Sequence, residues 1–504
     1  MNFGDFVGLS RRELGFIFLL LVILNILFRY PLSPHELGND SYYIHELAQS
    51  IVDNSSSEWL LSPLSFFGLY PFSYSSGLPH FLAVTSLLTN LPMESTIFFD
   101  SLFFAIFGIF TFYILAGELK KDQVFQLTAA FIFSVSPLAI KFTSWTVSSR
   151  GLILMFIPLV IWCLLKIKNV RDIKYISLFI VFFIILASIH KTFVLFILII
   201  LAFLFTKYIV YSDNRYLSKI FKHHYYPYIL CGIFISVFIL QFFLIPGNWL
   251  NEYKIFFNFN LNIWYESVLF LIVILTARLG LLIPLSILGV IYLIFDSKKS
   301  VNESFLIYAF LFFLPFLYYS IYFYETLLPF WAMLSVYGIF FLTSKVQQNR
   351  SLLCMIILIA IIVFSAYTVQ IRYTSTDEGG YKNYLQEPDY ALTGFIQHET
   401  NNQNIGGGYP RQIAPFISNP LVLMPTDQLI YHNIDKNLLK IELSPFPTSL
   451  SELFHFVKHT FDYSYSGDTK KYPYKYIIMP KNSQKPNSTD NKIYANDKVD
   501  FYDI

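Results

Sequence analysis

One acid stands out in a chain that has few. Asp40 lies within residues 31–53, PLSPHELGNDSYYIHELAQSIVD, which follow the first apolar segment and open with prolines and a Gly-Asn-Asp turn. The turn runs into residues 41–52, where Tyr43, Ile44, Leu47, Ala48, Ile51 and Val52 recur at helical spacing. That pattern predicts an amphipathic helix suited to lying along a membrane surface. Asp40, at its start, is the candidate chemical centre. Asn39 or Asp40 also suits the helix cap, since both types are favoured there, and the two roles are compatible. Glu36 and Glu46 are weaker candidates, and a solvated rim is the expected place for each.

The second group is cationic. Arg29, Lys141, Arg150, Lys191, Lys254 and Arg278, with His190 beside Lys191, fall at the expected outer ends of apolar segments. Cations placed there suit a phosphate whose lipid tails lie in the bilayer. Lys141 and Lys254 read more simply as side chains snorkelling to headgroups. Arg150 in Ser148-Ser149-Arg150-Gly151, His190-Lys191 in an unbroken apolar run, and Arg278 in Thr276-Ala277-Arg278-Leu279-Gly280 have apolar flanks. Such flanks make a charge costly, so these are functional candidates. Glu325, in a very short outer turn, could bind a sugar hydroxyl or a metal, or pair with an outer Arg.

Composition sets the frame that must position these groups. The chain has 504 residues, 55% hydrophobic and 13% charged, with 55 Phe and 36 Tyr. Soluble domains carry about 25% charged residues, so this is an integral membrane protein. A net charge of +2 argues against a nucleic-acid partner. Cys163, Cys231 and Cys354 lie in apolar segments without zinc or redox spacing, and read as packing residues. Arg11-Arg12 followed by residues 14–28 mimics a signal peptide, but Arg29-Tyr30-Pro31 offers no small-residue cleavage site, so a retained first span is expected.

A bilayer needs about 17–25 residues per helix. Spans are expected near 14–28, 94–117, 123–140, 150–166, 175–189, 192–206, 229–246, 278–295, 304–321, 326–344 and 351–370, eleven in all. Basic residues cluster at alternate gaps (Arg11 and Arg12; Lys120 and Lys121; Lys166 to Lys174; Lys207 to Lys222; Lys298 and Lys299; Lys345 and Arg350). The positive-inside rule makes those gaps cytoplasmic. The N-terminus is then inside, while the acidic loop 29–93 and the C-terminus are outside. Residues 77–90 form a second, interfacial segment of that loop. Residues 1–370 make the membrane domain. Residues 371–504, richer in Asn, Asp, Lys, Gly and Pro, make a small α/β outer domain. Its expected helices are at 389–398 and after the capping-box pattern 449–452, and its strands at 421–424, 476–479 and 499–502. Gly406-Gly407-Gly408 reads as a turn, with Arg411 left open. The sequons at Asn54 and Asn487 are expected outside and the one at Asn302 inside.

Order and topology together resemble the GT-C membrane glycosyltransferases, over most of the chain. The resemblance rests on Gly38-Asn39-Asp40-Ser41-Tyr42-Tyr43, Ser149-Arg150-Gly151, Ser188-Ile189-His190-Lys191-Thr192 and Glu325-Thr326-Leu327-Leu328-Pro329. It implies a donor sugar on a polyprenyl or dolichyl phosphate or diphosphate, presented from the membrane to an outer pocket. Asp40 would act as general base on the acceptor. Arg150, His190, Lys191 and Arg278 would bind the leaving phosphate, with Glu325, Glu36 and Tyr43 toward sugar or acceptor. Two departures narrow it. No Trp lies beyond Trp331, so the WWDYG motif of oligosaccharyltransferases is missing, and residues 141–149 lack their second acidic motif. Asparagine transfer and its metal site are therefore not expected. Asp40 is followed by Ser41, not the Glu typical of protein O-mannosyltransferases, so a protein acceptor is unsupported.

The expected protein is a polytopic α-helical membrane glycosyltransferase of the GT-C type, needing no cofactor and inverting the anomeric centre. Its partners are a lipid-linked sugar donor, membrane lipids and an acceptor the sequence does not name. A transporter or flippase for a lipid-linked or polar solute is the alternative, and a non-catalytic scaffold displaying residues 371–504 a third. The ionisable residues gather at outer span ends and not mid-span, which favours a one-sided active site.

Overall fold

A computed structural model describes residues 9–55, 75–169, 171–211, 221, 223–244, 264–318, 321–346, 349–374 and 384–399, and seven strands beyond. In chain order the described helices are α1 (Arg11–Arg29), α2 (Asn39–Asn54), α3 (Gly77–Thr89), α4 (Met93–Leu119), α5 (Gln123–Ser134), α6 (Pro137–Thr143), α7 (Ser149–Lys166), α8 (Ile173–Ile189), α9 (Phe196–Phe205), α10 (Tyr226–Leu244), α11 (Trp264–Leu279), α12 (Leu282–Phe295), α13 (Val301–Phe313), α14 (Ile321–Thr326), α15 (Leu328–Lys345), α16 (Arg350–Thr374) and α17 (Glu387–Glu399). They fall into two compact units, one of residues 1–29, 103–143 and 150–370, the other of residues 30–102, 144–149 and 371–504. Residues 30–102 and 144–149, within the expected membrane domain 1–370, cluster with residues 371–504.

The first unit is a helical bundle. Of the described helices, six are long and apolar enough to cross a membrane, or eight if two bent pairs each make one span. Eleven spans were expected. The gap has local causes. Four charges in α1 (Arg11, Arg12, Glu13 and Arg29) take it out of the count, and α8 and α13 are apolar but only 17 and 13 residues long. The expected spans 123–140 and 278–295 belong to the bent pairs, α5 with α6 at 56° and α11 with α12 at 103°. Pro137 explains the first bend: a residue before proline is pushed out of the helical region, and proline has no N–H to continue the ladder. Gly280, at φ +59°, turns the chain at the second.

Arg29 stabilises the first break. It is buried, donating from Nη2 to the Ser134 carbonyl at 3.0 Å, from Nε to Thr143 Oγ1 at 2.8 Å and from Nη1 to Asn25 Oδ1 at 2.7 Å. A carbonyl released by a helix break needs such a donor in a medium without water. Arg29 is thus committed to the bundle and not to a phosphate. The tightest helix contact is α12 against α15. A Cβ at Gly289 would lie 1.9 Å from the Leu334 carbonyl oxygen, and one at Gly338 2.0 Å from that of Leu285. Small residues let membrane helices approach backbone to backbone, and Ser335 Oγ adds a 3.0 Å bond to the Leu282 carbonyl across the same contact.

The second unit holds α2, α3, the first turns of α4, α17 and a mixed sheet of order β2-β1-β5-β7-β6. Its strands are β1 (Ile405–Gly407), β2 (Leu421–Val422), β5 (Tyr476–Pro480), β6 (Asn491–Ala495) and β7 (Val499–Asp503); β3 (Leu439–Leu443) and β4 (Phe461–Tyr465) pair separately. β1 runs parallel to β2 and β5, whereas β7 is antiparallel to β5 and β6. Gly406 and Gly407, expected in a turn, lie in β1 between two neighbours, where backbone pairing and not side chains does the work. The helix expected at 389–398 is α17. Segments 59–63 and 70–72 of the first loop, Lys254, Arg411, residues 449–452 and Asn487 lie outside the described residues. Asn302, whose sequon was expected inside, donates from its amide to the Glu118 carbonyl at 2.9 Å.

The expected membrane-facing stripe of α2 is corrected. Ile44, Leu47, Ala48 and Ile51 are buried, as are Ser41, Tyr42, His45 and Glu46 on other sides of the helix. With apolar and polar sides both enclosed, α2 is a buried helix. In α3 the apolar residues Phe81, Val84, Leu87 and Leu88 are the exposed ones.

Candidate functional site

The segment carrying Asp40 is pinned from several directions. Gly38 is the N-cap of α2, at φ +92°, a left-handed conformation that glycine adopts without strain. Neither Asn39 nor Asp40 therefore stands at the cap position. Asp40 lies in the first turn, where the helix dipole favours a negative charge, and it is exposed. Around it the backbone is held by residues 145–147. Leu37 N–H donates to the Trp145 carbonyl at 3.0 Å, and Thr146 Oγ1 donates to the Leu37 carbonyl. Val147 N–H donates to Ser41 Oγ at 2.9 Å, and Ser41 Oγ in turn donates to Glu36 Oε2 at 2.6 Å.

Glu36 is the hub of this frame. It is fully buried; Oε1 is paired with His45 Nδ1, Oε2 accepts from Ser41, and its carbonyl accepts from Tyr42 Oη at 2.7 Å. Glu94 completes the set, with Oε1 3.0 Å from His35 Nδ1 and accepting from Glu36 N–H at 3.1 Å. Glu36 and Glu46, placed by sequence on a solvated rim, are both inside. A buried carboxylate needs charged or hydrogen-bonding partners to stay in place, and for Glu36 His45 and Ser41 supply them. Tyr42 is held as a neutral phenol, its ionisation pushed up by burial and then by the Glu36 charge. Tyr43 is half-buried beside it.

The first unit carries the cationic group. Arg150 stands in the first turn of α7. Its Nη1 is 3.7 Å from Glu325 Oε1, and its guanidinium lies 5.0 Å from the Phe142 ring centre and 5.9 Å from that of Tyr322. Gly151 permits the approach of α6, since a Cβ there would be 2.5 Å from the Phe142 carbonyl oxygen. Of the roles open to Glu325, pairing with an Arg is the one this geometry displays. Tyr322 also adjoins His190, ring centres 5.7 Å apart. His190 sits in extended backbone between α8 and a 3-10 turn of residues Lys191–Leu195. Thr192 N–H donates to His190 Nδ1 at 3.1 Å, so in the neutral ring the proton sits on Nε2. A helix N-terminus with an Arg in its first turn is suited to an anion. Arg278, half-buried, lies in the last turn of α11, where the dipole favours a cation. Lys141 stacks on Phe142 at 5.0 Å.

Among the described residues no group of three or more His, Cys, Asp and Glu is placed to hold a metal ion. Sequence reasoning missed Ser41, His45, His35, Glu94 and Tyr322. The signal for the first pair was local: Glu36, Ser41 and His45 are brought together by a single turn and helix start. His35 and Glu94 are 59 positions apart, and nothing in their neighbours announces the pairing.

No protein-family model matches the sequence, and no curated protein matches it either. Solved structures do resemble the fold. Oligosaccharyltransferase AglB from Archaeoglobus fulgidus, in complex with an inhibitory peptide and a dolichol-phosphate, matches with a TM-score of 0.58 at 11% identity. The match covers 93% of this chain and 69% of that one. ArnT from Cupriavidus metallidurans, bound to undecaprenyl phosphate, matches with a TM-score of 0.51 at 10% identity over 97% of each chain. The chain shares its fold with these two solved proteins.

Proposed function

We propose that the protein is a glycosyltransferase that moves a sugar from a polyprenyl- or dolichyl-phosphate donor to an acceptor at the outer face of the membrane. The observation that supports it most is the exposed Asp40 on a hydrogen-bonded frame, in a chain whose fold is shared with proteins bound to dolichol-phosphate and undecaprenyl phosphate. Asp40 is the general base. It takes the proton of the acceptor hydroxyl as that oxygen bonds to the anomeric carbon. The bond from that carbon to the phosphate oxygen breaks on the opposite face, so the configuration inverts and the lipid phosphate leaves with the electron pair. Arg150, His190, Lys191 and Arg278 supply positive charge and N–H donors to the phosphate as its charge grows, which is electrostatic catalysis. Tyr43 contributes to the sugar or acceptor side, and Glu36 acts through the frame that holds the turn. Residues 371–504 lie outside with the acceptor, and the N-terminus lies inside.

Purified protein in liposomes, supplied with radiolabelled polyprenyl-phosphate sugar and membrane extract, tests this reading. Label should move from the lipid to a second product. Label that crosses the bilayer while remaining on its lipid would favour the flippase alternative.

A further inference from the structure

The segment leading into α17 is bonded directly to the Asp40 segment. Leu385 N–H, two residues ahead of α17, donates to Tyr42 Oη at 3.1 Å, and the same hydroxyl donates to the Glu36 carbonyl at 2.7 Å. Five residues further on, the Tyr390 ring stacks on the His35 ring with centres 3.9 Å apart and planes 29° apart. His35 pairs with Glu94, whose same oxygen receives the Glu36 N–H. The Glu36 carbonyl is thus held by Tyr42, which Leu385 bonds, and its N–H by Glu94, whose partner His35 stacks on Tyr390. Glu36 reaches Ser41 through its carboxylate, and Asp40 lies between these two residues. Tyr42 is buried and stays a neutral phenol, so its hydroxyl can donate and accept at once.

We infer that Tyr42 is a positioning residue, and that Leu385 and the start of α17 brace the turn carrying the base, the first through Tyr42 and the second through the Tyr390–His35 stack. The inference rests on Asp40 as the base and gives the C-terminal region a role in the reaction: it keeps the carboxylate aimed. A one-ångström error in aim is enough to cost a large factor in rate. The coupling uses one hydroxyl and one stacked ring, so it can be cut without opening the core.

The test compares wild type with Tyr42→Phe, Tyr390→Leu and Asp40→Asn in the liposome transfer assay, with hydrogen–deuterium exchange of residues 36–42 as a second readout. Tyr42→Phe removes a single oxygen and keeps the ring. It should lower kcat about tenfold, the rate equivalent of one hydrogen bond's free energy, leave donor KM within about twofold and speed exchange in residues 36–42. Tyr390→Leu should move kcat and exchange in the same direction. In the Asp40→Asn background Tyr42→Phe should have no further effect on the residual rate. Faster exchange with unchanged kcat would overturn the inference, as would a matched rise in KM. Undiminished transfer by Asp40→Asn would overturn the base assignment instead, whatever Tyr42→Phe does.

Discussion

Arg150 shows how a single residue combines identity and place. Its guanidinium lies 5.0 Å and 5.9 Å from two aromatic ring centres, with a carboxylate at 3.7 Å, neighbours that suit a flat, delocalised cation. Arg150→Ala should raise donor KM about 10- to 100-fold, the range for losing a charge-assisted hydrogen bond. Arg150→Lys keeps the charge but loses the planar fork, and should recover only part of that loss in the same assay. Full recovery by Lys would mean that charge alone is needed. The apolar flanks of Arg150 and His190 drew attention to both in the sequence, and Tyr322 adjoins both in the structure. Arg29 was grouped with them as a cation at an expected outer end, yet it satisfies a broken helix instead. Hydropathy flags a costly charge; it does not say whether a ligand or the protein's own backbone offsets the cost.

At the scale of elements, two features carry predictions. Where α12 meets α15, Gly289→Ala or Gly338→Ala places a methyl within 2.0 Å of a backbone oxygen, which no rotamer change relieves. Each should cost about 1–3 kcal/mol, the usual range for overpacking, read as a lowered Tm in detergent. An unchanged Tm would mean that the helices separate freely there. Asp172, before α8, accepts from the Asn169 and Lys168 N–H groups, which holds its carboxyl below the usual value. A depressed folded value gives stability above the unfolded value that is lost as pH falls through the folded one. Asp172→Asn should remove that acid-dependent part of the Tm profile below the ordinary carboxylate value of 3.8. Six of the eleven expected spans were legible as apolar runs of the right length. The bends were less so, because Pro137 and Gly280 act through backbone geometry within runs whose hydropathy barely changes. The burial of α2 was not legible either: a stripe of Ile44, Leu47 and Ile51 looks the same whether it meets lipid or protein.

For the whole molecule, the proposed orientation follows from the basic gaps between spans. In a cysteine-free background, Lys298→Cys should be labelled by an impermeant maleimide only from the cytoplasmic side, and Asp53→Cys only from outside. The reverse pattern would invert the orientation and put Asp40 on the wrong face for an outer acceptor. The GT-C likeness was readable from the order of Asp40, Arg150, His190 and Glu325 along the chain, although identity to the solved structures is only 10–11%. The grouping of the first loop with residues 371–504 was not, since it depends on contacts such as Tyr42 with Leu385, 343 positions apart. The proposed reaction depends on one carboxylate. The most direct measurement is the rate of sugar transfer from a polyprenyl-phosphate donor by Asp40→Asn against wild type, at equal folded protein. As a general base, Asp40 should be worth about 10²–10⁴ in kcat, with donor binding kept. Transfer by Asp40→Asn at the wild-type rate would contradict it.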